Sequence, residues 1–269
     1  MMSFFFSKYR VWLSLVLALL LVNQLSFLVW TQTVSPTEAM SVANDRYESG
    51  HYDEATDIYE SILEAGIENS SLYYNLGNAY FKQGDLGRAI LNYRRAQRFS
   101  PRDGDIIANL QIARAQTLDR LEATENSSLT NFVKVAEEWL TLNEAAVIAL
   151  LLWLLICTVV LVSIVRPKLR RTGLWLVGIL GLLLLVGVFS IANRLYNDYT
   201  SPSAVVLAEK VDVTSGPGAT DQYLVEFELH AGAEVRQLEA RAGWKRIALP
   251  GNHIQGWVPE KAIELVIKE

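Results

Sequence analysis

The chain of 269 residues has a single cysteine and only three histidines. Cys157 alone cannot form a disulfide within the chain, and no CxxC pair or Cys/His set has metal-ligand spacing. His51, His230 and His253 have no Ser, Cys or carboxylate at the spacing of a catalytic motif, and a P-loop, GxSxG and HExxH are all missing. The sequence therefore predicts no enzyme activity, no cofactor and no metal.

Charge is missing from two long stretches in the middle of the chain. Residues 145–165 and 172–193 contain 21 and 22 consecutive residues without Asp, Glu, Lys or Arg. About 20 apolar residues are needed to cross the hydrocarbon core of a membrane as a helix. Both stretches are predicted to be transmembrane helices, the alternative being fully buried helices of a soluble domain.

A third apolar run, residues 11–30, follows Lys8 and Arg10. A basic start before an apolar run is typical of a secretory signal, but no clear small-x-small cleavage site follows it. Residues 1–31 are thus predicted to be either a signal peptide or an uncleaved anchor. In both cases the chain from about residue 32 is exported.

The short segment 166–171, RPKLRR, separates the two apolar stretches and carries four basic residues with no acidic one. They are Arg166, Lys168, Arg170 and Arg171. Short loops rich in Lys and Arg stay in the cytoplasm, so this segment is predicted to be a cytoplasmic turn. The two large segments on either side are then predicted to lie on the opposite side of the membrane. They are residues 32–142, with 10 basic and 17 acidic residues, and residues 195–269, with 7 basic and 11 acidic residues. Nucleic-acid binding is disfavoured, because such footprints are larger and contain aromatic residues.

Residues 73–101 resemble a tetratricopeptide repeat in the spacing of nine residues. They are Tyr73, Leu76, Gly77, Tyr80, Gly84, Ala89, Tyr93, Ala96 and Pro101. A shift of 34 residues towards the N-terminus places Gly50, Ala55 and Tyr59 on Gly84, Ala89 and Tyr93. We therefore predict two repeats plus a capping helix over residues 37–122, followed by a linker and amphipathic lead-in over residues 123–142.

The first helices of such repeats line a concave groove that holds partners. By repeat position the groove candidates are Asn44, Tyr47, Asn75, Asn78, Phe81, Lys82 and Asn109. Asn44 and Asn75 match two asparagines of the carboxylate-clamp subtype, which binds peptide C-termini. The clamp's basic positions fall on Met40, Asp105 and Asn109, so clamp-type binding is not expected. The alternative is that the asparagines form structural hydrogen bonds between helices.

Residues 204–267 alternate apolar and polar side chains between Gly and Pro turns, which predicts short strands in a small all-β barrel. The two Gly-Trp pairs, at Trp244 and Trp257, and the stretch 211–218 resemble a bacterial SH3-like domain. Tyr223, Trp244 and Trp257 are candidates for a ligand groove, with peptidoglycan as the ligand class that the resemblance implies. The alternative, favoured for Trp257, is that these aromatic side chains fill a small core.

The order of these segments resembles BatE-like proteins of the Bacteroides aerotolerance (Bat) group. The resemblance implies a multi-pass protein of the bacterial inner membrane whose repeats and SH3-like domain face the periplasm. It implies membrane-anchored von Willebrand A-domain Bat proteins as partners and, indirectly, a MoxR-type ATPase. The resulting hypothesis is a non-enzymatic adaptor in a stress or aerotolerance complex. Peptidoglycan binding or sensing is the alternative, and a co-chaperone for exported proteins is a third hypothesis.

Overall fold

The computed structural model describes residues 35–119, 139–218, 221–251 and 254–267. Five short helices come first: α1 Pro36–Glu48, α2 Tyr52–Glu64, α3 Ser70–Gln83, α4 Leu86–Phe99 and α5 Gly104–Gln116. Two long helices follow, α6 Leu142–Val165 and α7 Arg170–Thr200, with a 3₁₀ turn at Pro167–Leu169 between them. The predicted signal segment, residues 1–31, the last residues of the predicted repeat domain, 120–122, and residues 123–138 of the predicted linker and lead-in lie outside the described residues.

The first four helices form two antiparallel hairpins because the sequence ends each helix sharply. At the second hairpin Gly84 adopts φ +85°, a left-handed conformation that glycine reaches without strain. Asp85 then caps α4 by accepting a hydrogen bond from the backbone N–H of Arg88 at 2.9 Å. Within this hairpin Gly77 lies so close to Tyr93 that an added Cβ would be 2.7 Å from the ring. Gly77 therefore lets α3 and α4 approach each other closely.

The helices α6 and α7 are each long and apolar enough to cross a membrane, and the rest of the described chain leaves their apolar windows uncovered. They contact each other closely at Gly173, where an added Cβ would meet the Ser163 hydroxyl. The four basic residues of segment 166–171 are all exposed at this end. Whereas the apolar run was predicted to end at residue 193, α7 continues to Thr200, just before Pro202 breaks the helix.

Seven antiparallel strands form the C-terminal sheet. They are β1 Ser203–Val206, β2 Lys210–Thr214, β3 Val225–His230, β4 Glu234–Arg241, β5 Trp244–Ala248, β6 Gln255–Pro259 and β7 Ile263–Leu265. The sheet order is β3-β2-β6-β5-β4-β1-β7. The predicted short strands are confirmed, whereas closure into an SH3-like barrel stays a prediction.

The sheet packs directly against the repeats. Helix α4 approaches β1 at Gly87, where an added Cβ would be 2.9 Å from the backbone oxygen of Val206. Val205 and Val266 are buried in the same apolar cluster as the helical core. The helical and β segments therefore share a core, which the sequence analysis had not predicted.

Candidate functional site

Two predicted groove residues, Asn44 of α1 and Asn75 of α3, form a hydrogen-bonded triad with Tyr59 of α2. The Tyr59 hydroxyl donates to Asn44 Oδ1 at 2.6 Å, and Asn75 Nδ2 donates to the same oxygen at 3.0 Å. Tyr59 is 1% exposed, and this burial raises the pKa of its phenol to about 12. The phenol therefore stays neutral and acts as a hydrogen-bond donor that ties α2 to α1.

The same triad recurs 34 residues later. The Tyr93 hydroxyl donates to Asn78 Oδ1 at 2.8 Å, and Asn109 Nδ2 donates to that oxygen at 2.9 Å. Each asparagine oxygen thus joins three successive helices, as the structural alternative of the sequence analysis expects. Asn109 also donates to the hydroxyl of Tyr74 at 3.0 Å. Tyr74 was missed because the equivalent position of the first repeat is Met40, so the repeat pattern gave no signal there.

Of the three remaining groove candidates only Lys82 is exposed, and Tyr47 and Phe81 are half-buried, as the four asparagines are. Tyr47 is half-buried, with its ring centroid 5.3 Å from that of Tyr52. Phe81 is half-buried against the helical core, whereas Lys82, in the last turn of α3, is exposed. Lys82 is therefore the predicted groove residue that a partner lying along the first helices reaches most readily.

The sheet packs against α4, the second helix of the second repeat. Arg95 of α4 is 5% exposed, and its guanidinium donates to the backbone oxygens of Leu265 at 2.8 Å and Val266 at 3.2 Å. The same guanidinium pairs with the carboxylate of Glu264 at 2.7 Å and lies over the ring of Tyr73. Arg95 therefore anchors the last strand of the sheet on the outer side of the second repeat.

A second anchor is the carboxylate of Glu234 in β4. It lies 3.1 Å from Nε of Arg94 and accepts a hydrogen bond from Arg114 at 3.0 Å. Burial alone would raise the pKa of Glu234, but the hydrogen bond and charge of Arg114 and the charge of Arg94 outweigh it and lower that pKa below its ordinary value. Glu234 therefore stays charged at neutral pH and links α4, α5 and the sheet.

The repeats also contact the ends of both long helices. Arg98 of α4 pairs with Asp198 of α7 at 3.0 Å. Arg102 pairs with Glu144 in the first turn of α6, and its guanidinium lies 5.0 Å from the ring centroid of Trp139. The repeats, the sheet and the ends of α6 and α7 remote from segment 166–171 thus form one connected unit.

The three candidate groove residues of the β segment differ in accessibility. Trp257 is only 8% exposed, which fits the core alternative. The ring of Tyr223 lies flat against Gly216 and Gly218, yet the residue is 36% exposed. Trp244 begins β5 and is half-buried. Tyr223 and Trp244 are therefore partly accessible to a ligand, whereas the body of Trp257 is not.

Within the described ranges, no group of three His, Cys, Asp or Glu side chains is placed to hold a metal ion.

Comparison with known families agrees with the helical geometry. A search of curated proteins found no match to the chain. Residues 43–104 match the family model of the tetratricopeptide repeat. The chain therefore contains tetratricopeptide repeats, which are generally non-catalytic and serve as protein–protein interaction modules.

Proposed function

We propose that this chain is a non-enzymatic adaptor of the bacterial inner membrane, which presents its repeats to a protein partner in the periplasm. The observation that carries the proposal is the unequal use of the two repeat faces. The sheet covers helix α4, the second helix of the second repeat, through Arg95 and Glu234, while the first-helix face is open at Lys82. A rigidly held repeat array with one open face suits recognition of a partner in a set orientation.

The membrane arrangement rests on α6 and α7. Their uncovered apolar surfaces are stable in lipid but would be costly in water. The basic segment 166–171 lies at one end of this hairpin and faces the cytoplasm under the positive-inside rule. At the other end Tyr196 and Tyr199 are 66% and 89% exposed, as aromatic residues at a membrane interface are. The repeats and the sheet then lie in the periplasm.

The partner class follows from the resemblance to the Bat group. The open face would bind membrane-anchored von Willebrand A-domain proteins, which the hairpin holds in the same membrane plane. A MoxR-type ATPase across the membrane would be reached only through those partners, in a complex for stress or oxygen tolerance. Peptidoglycan binding through Tyr223 and Trp244 is the second candidate, since both aromatic side chains are accessible on the sheet.

Cysteine labelling tests the orientation. In a Cys157→Ser background, Ser61→Cys in α2 and Ala240→Cys in β4 should react with a membrane-impermeant maleimide added to spheroplasts. Lys168→Cys should react only after the membrane is permeabilised, because it lies in the cytoplasmic turn. All three positions are exposed, so accessibility to the reagent is decided by the membrane. The reverse pattern would place both segments in the cytoplasm and sink the proposed orientation.

Photo-crosslinking from the open face tests the adaptor role. A photoreactive residue in place of Lys82 should yield a membrane-protein adduct in living cells. The same residue in place of Asp57 is the matched control, because Asp57 is equally exposed but lies on the second helix α2. Adducts of equal yield from both positions would contradict a specific groove. Sedimentation of the full chain with purified peptidoglycan, without any adduct from position 82, would support the cell-wall alternative instead.

A further inference from the structure

A polar cavity lies where the repeats, the end of α7 and the sheet meet. It encloses about 160 Å³, several times the roughly 30 Å³ that one water molecule occupies in the liquid. Four guanidinium groups line it: Arg94 and Arg98 from α4, Arg194 from α7 and Arg236 from β4. Three separate parts of the chain therefore contribute positive charge to one small volume.

The positive charge of the cavity is only partly neutralised. Asp198 lines it and pairs with Arg98 at 3.0 Å. Glu234 lies 3.1 Å from Nε of Arg94, but without the geometry of a hydrogen bond, and it is shared with Arg114. Among the residues that the structure describes, the guanidinium of Arg236 has no ion-pair or hydrogen-bond partner. The cavity thus has an excess of positive charge that a bound anion would balance.

The cavity lies at a defined height along α7. Helix α7 has 31 residues, so it is about 46 Å long at 1.5 Å per residue, against about 30 Å for the hydrocarbon core. Arg194 is the first residue after the apolar run 172–193. Asn197, Asp198 and Ser201, which also line the cavity, lie further along the chain, away from that run. If α7 crosses the membrane, this part of the cavity wall occupies the layer where phospholipid headgroups lie, just outside the hydrocarbon.

We propose that this cavity binds the phosphate of an anionic phospholipid headgroup from the outer leaflet; the inference rests on the membrane arrangement proposed above. The planar guanidinium of Arg236 matches two phosphate oxygens with two parallel hydrogen bonds. Ser201 and Ser203 also line the cavity, and their hydroxyls suit the remaining oxygens and the hydroxyls of a glycerol headgroup. Lipid bound here would hold the repeats and the sheet at the membrane surface.

The test uses the full chain purified in a non-ionic detergent. Native mass spectrometry measures its affinity for dioleoyl phosphatidylglycerol, dioleoyl phosphatidylcholine and, separately, inorganic phosphate. Arg236→Gln removes the guanidinium that has no partner. Gln97→Glu adds a carboxylate to the wall yet keeps an acceptor for Arg94, which donates to Gln97 Oε1 at 2.8 Å. Arg246→Gln, exposed on β5 and outside the cavity, is the matched control.

The wild type should bind phosphatidylglycerol more tightly than phosphatidylcholine. Either cavity variant should weaken phosphatidylglycerol binding about tenfold, as expected for the loss of a charge-assisted hydrogen bond. Arg246→Gln should stay within about twofold of the wild type. Each cavity variant should keep a Tm within about 2 °C of wild type, since neither breaks an existing contact. If Arg236→Gln unfolds, Gln97→Glu alone decides.

Several outcomes would overturn the proposal. Equal weakening by Arg246→Gln would show a diffuse charge effect rather than a site. If the chain showed no preference between the two lipids and bound inorganic phosphate as tightly as phosphatidylglycerol, the cavity would be a site for a free anion rather than for a lipid. A tenfold loss for Arg236→Gln combined with reversed cysteine labelling would refute the outer-leaflet assignment while leaving the anion site intact. Failure of this inference is therefore distinguishable from failure of the proposed orientation.

Discussion

Replacing Arg95 with alanine is expected to release the last strand of the sheet from the repeats. The substitution leaves the backbone oxygens of Leu265 and Val266 without their donor and removes the partner of Glu264. Buried acceptors that lose a charged donor cost about 1–3 kcal/mol each, so the local opening free energy should fall by about 3 kcal/mol. Hydrogen exchange of the full chain in detergent should then show β1 and β7 amides exchanging about a hundredfold faster.

Two variants control for this result. Arg46→Ala removes an ion pair with Glu54 in which both side chains are about half exposed, and its effect should be below about 1 kcal/mol. Arg95→Lys keeps the charge but loses the fork of donors, so its effect should be intermediate. Unchanged exchange at β7 in Arg95→Ala would mean that the Arg95 contacts are not needed to hold the sheet on α4.

Replacing Asn78 with alanine is expected to loosen the second repeat. Asn78 Oδ1 is the acceptor for both Tyr93 and Asn109, and Tyr93 is 1% exposed. Without that oxygen the buried phenol lies unpaired, at a cost of about 2–3 kcal/mol. Amides of α3 and α4 should exchange faster by one to two orders of magnitude in the full chain.

The matched control lies on the same helix. Lys82→Ala, at an exposed position in the last turn of α3, should leave amide exchange close to wild type. It should still reduce the yield of a copurified partner if the first-helix face is the binding surface. If Asn78→Ala left amide exchange unchanged but abolished partner copurification, the triad would be a ligand site rather than a structural device.

The fixed connection between repeats, sheet and hairpin bears on how an adaptor would work. The contacts of Arg95, Glu234 and Arg98 connect α4 to the sheet and to α7. In the membrane arrangement proposed above, a partner on the first-helix face would therefore meet a surface whose height above the membrane is preset. Such preorganisation reduces the entropy lost on binding, which favours recognition between two proteins anchored in one membrane.

Local patterns predicted the elements well. Gly84 is one of the residues whose spacing indicated the repeat, and in the structure it ends α3 with the left-handed φ that glycine favours. The apolar stretches fell inside α6 and α7, but α7 runs seven residues further. The apolar run identifies the residues suited to the membrane interior. The helix is held by backbone hydrogen bonds and therefore continues through polar residues until Pro202 interrupts it. The Gly-Trp pair at Trp244 did mark the start of a strand.

The sequence by itself determined the repeats, the two apolar helices and the short strands, because each follows from spacings within one element or one repeat. Only the tertiary structure decided what those elements face. Arg95 and Glu264 are 169 positions apart, and the arginines of the cavity come from α4, α7 and β4. No periodicity connects such positions. They meet because burying apolar surface between α4 and β1 brings the charged rims of both segments together, where the arginines and carboxylates then pair.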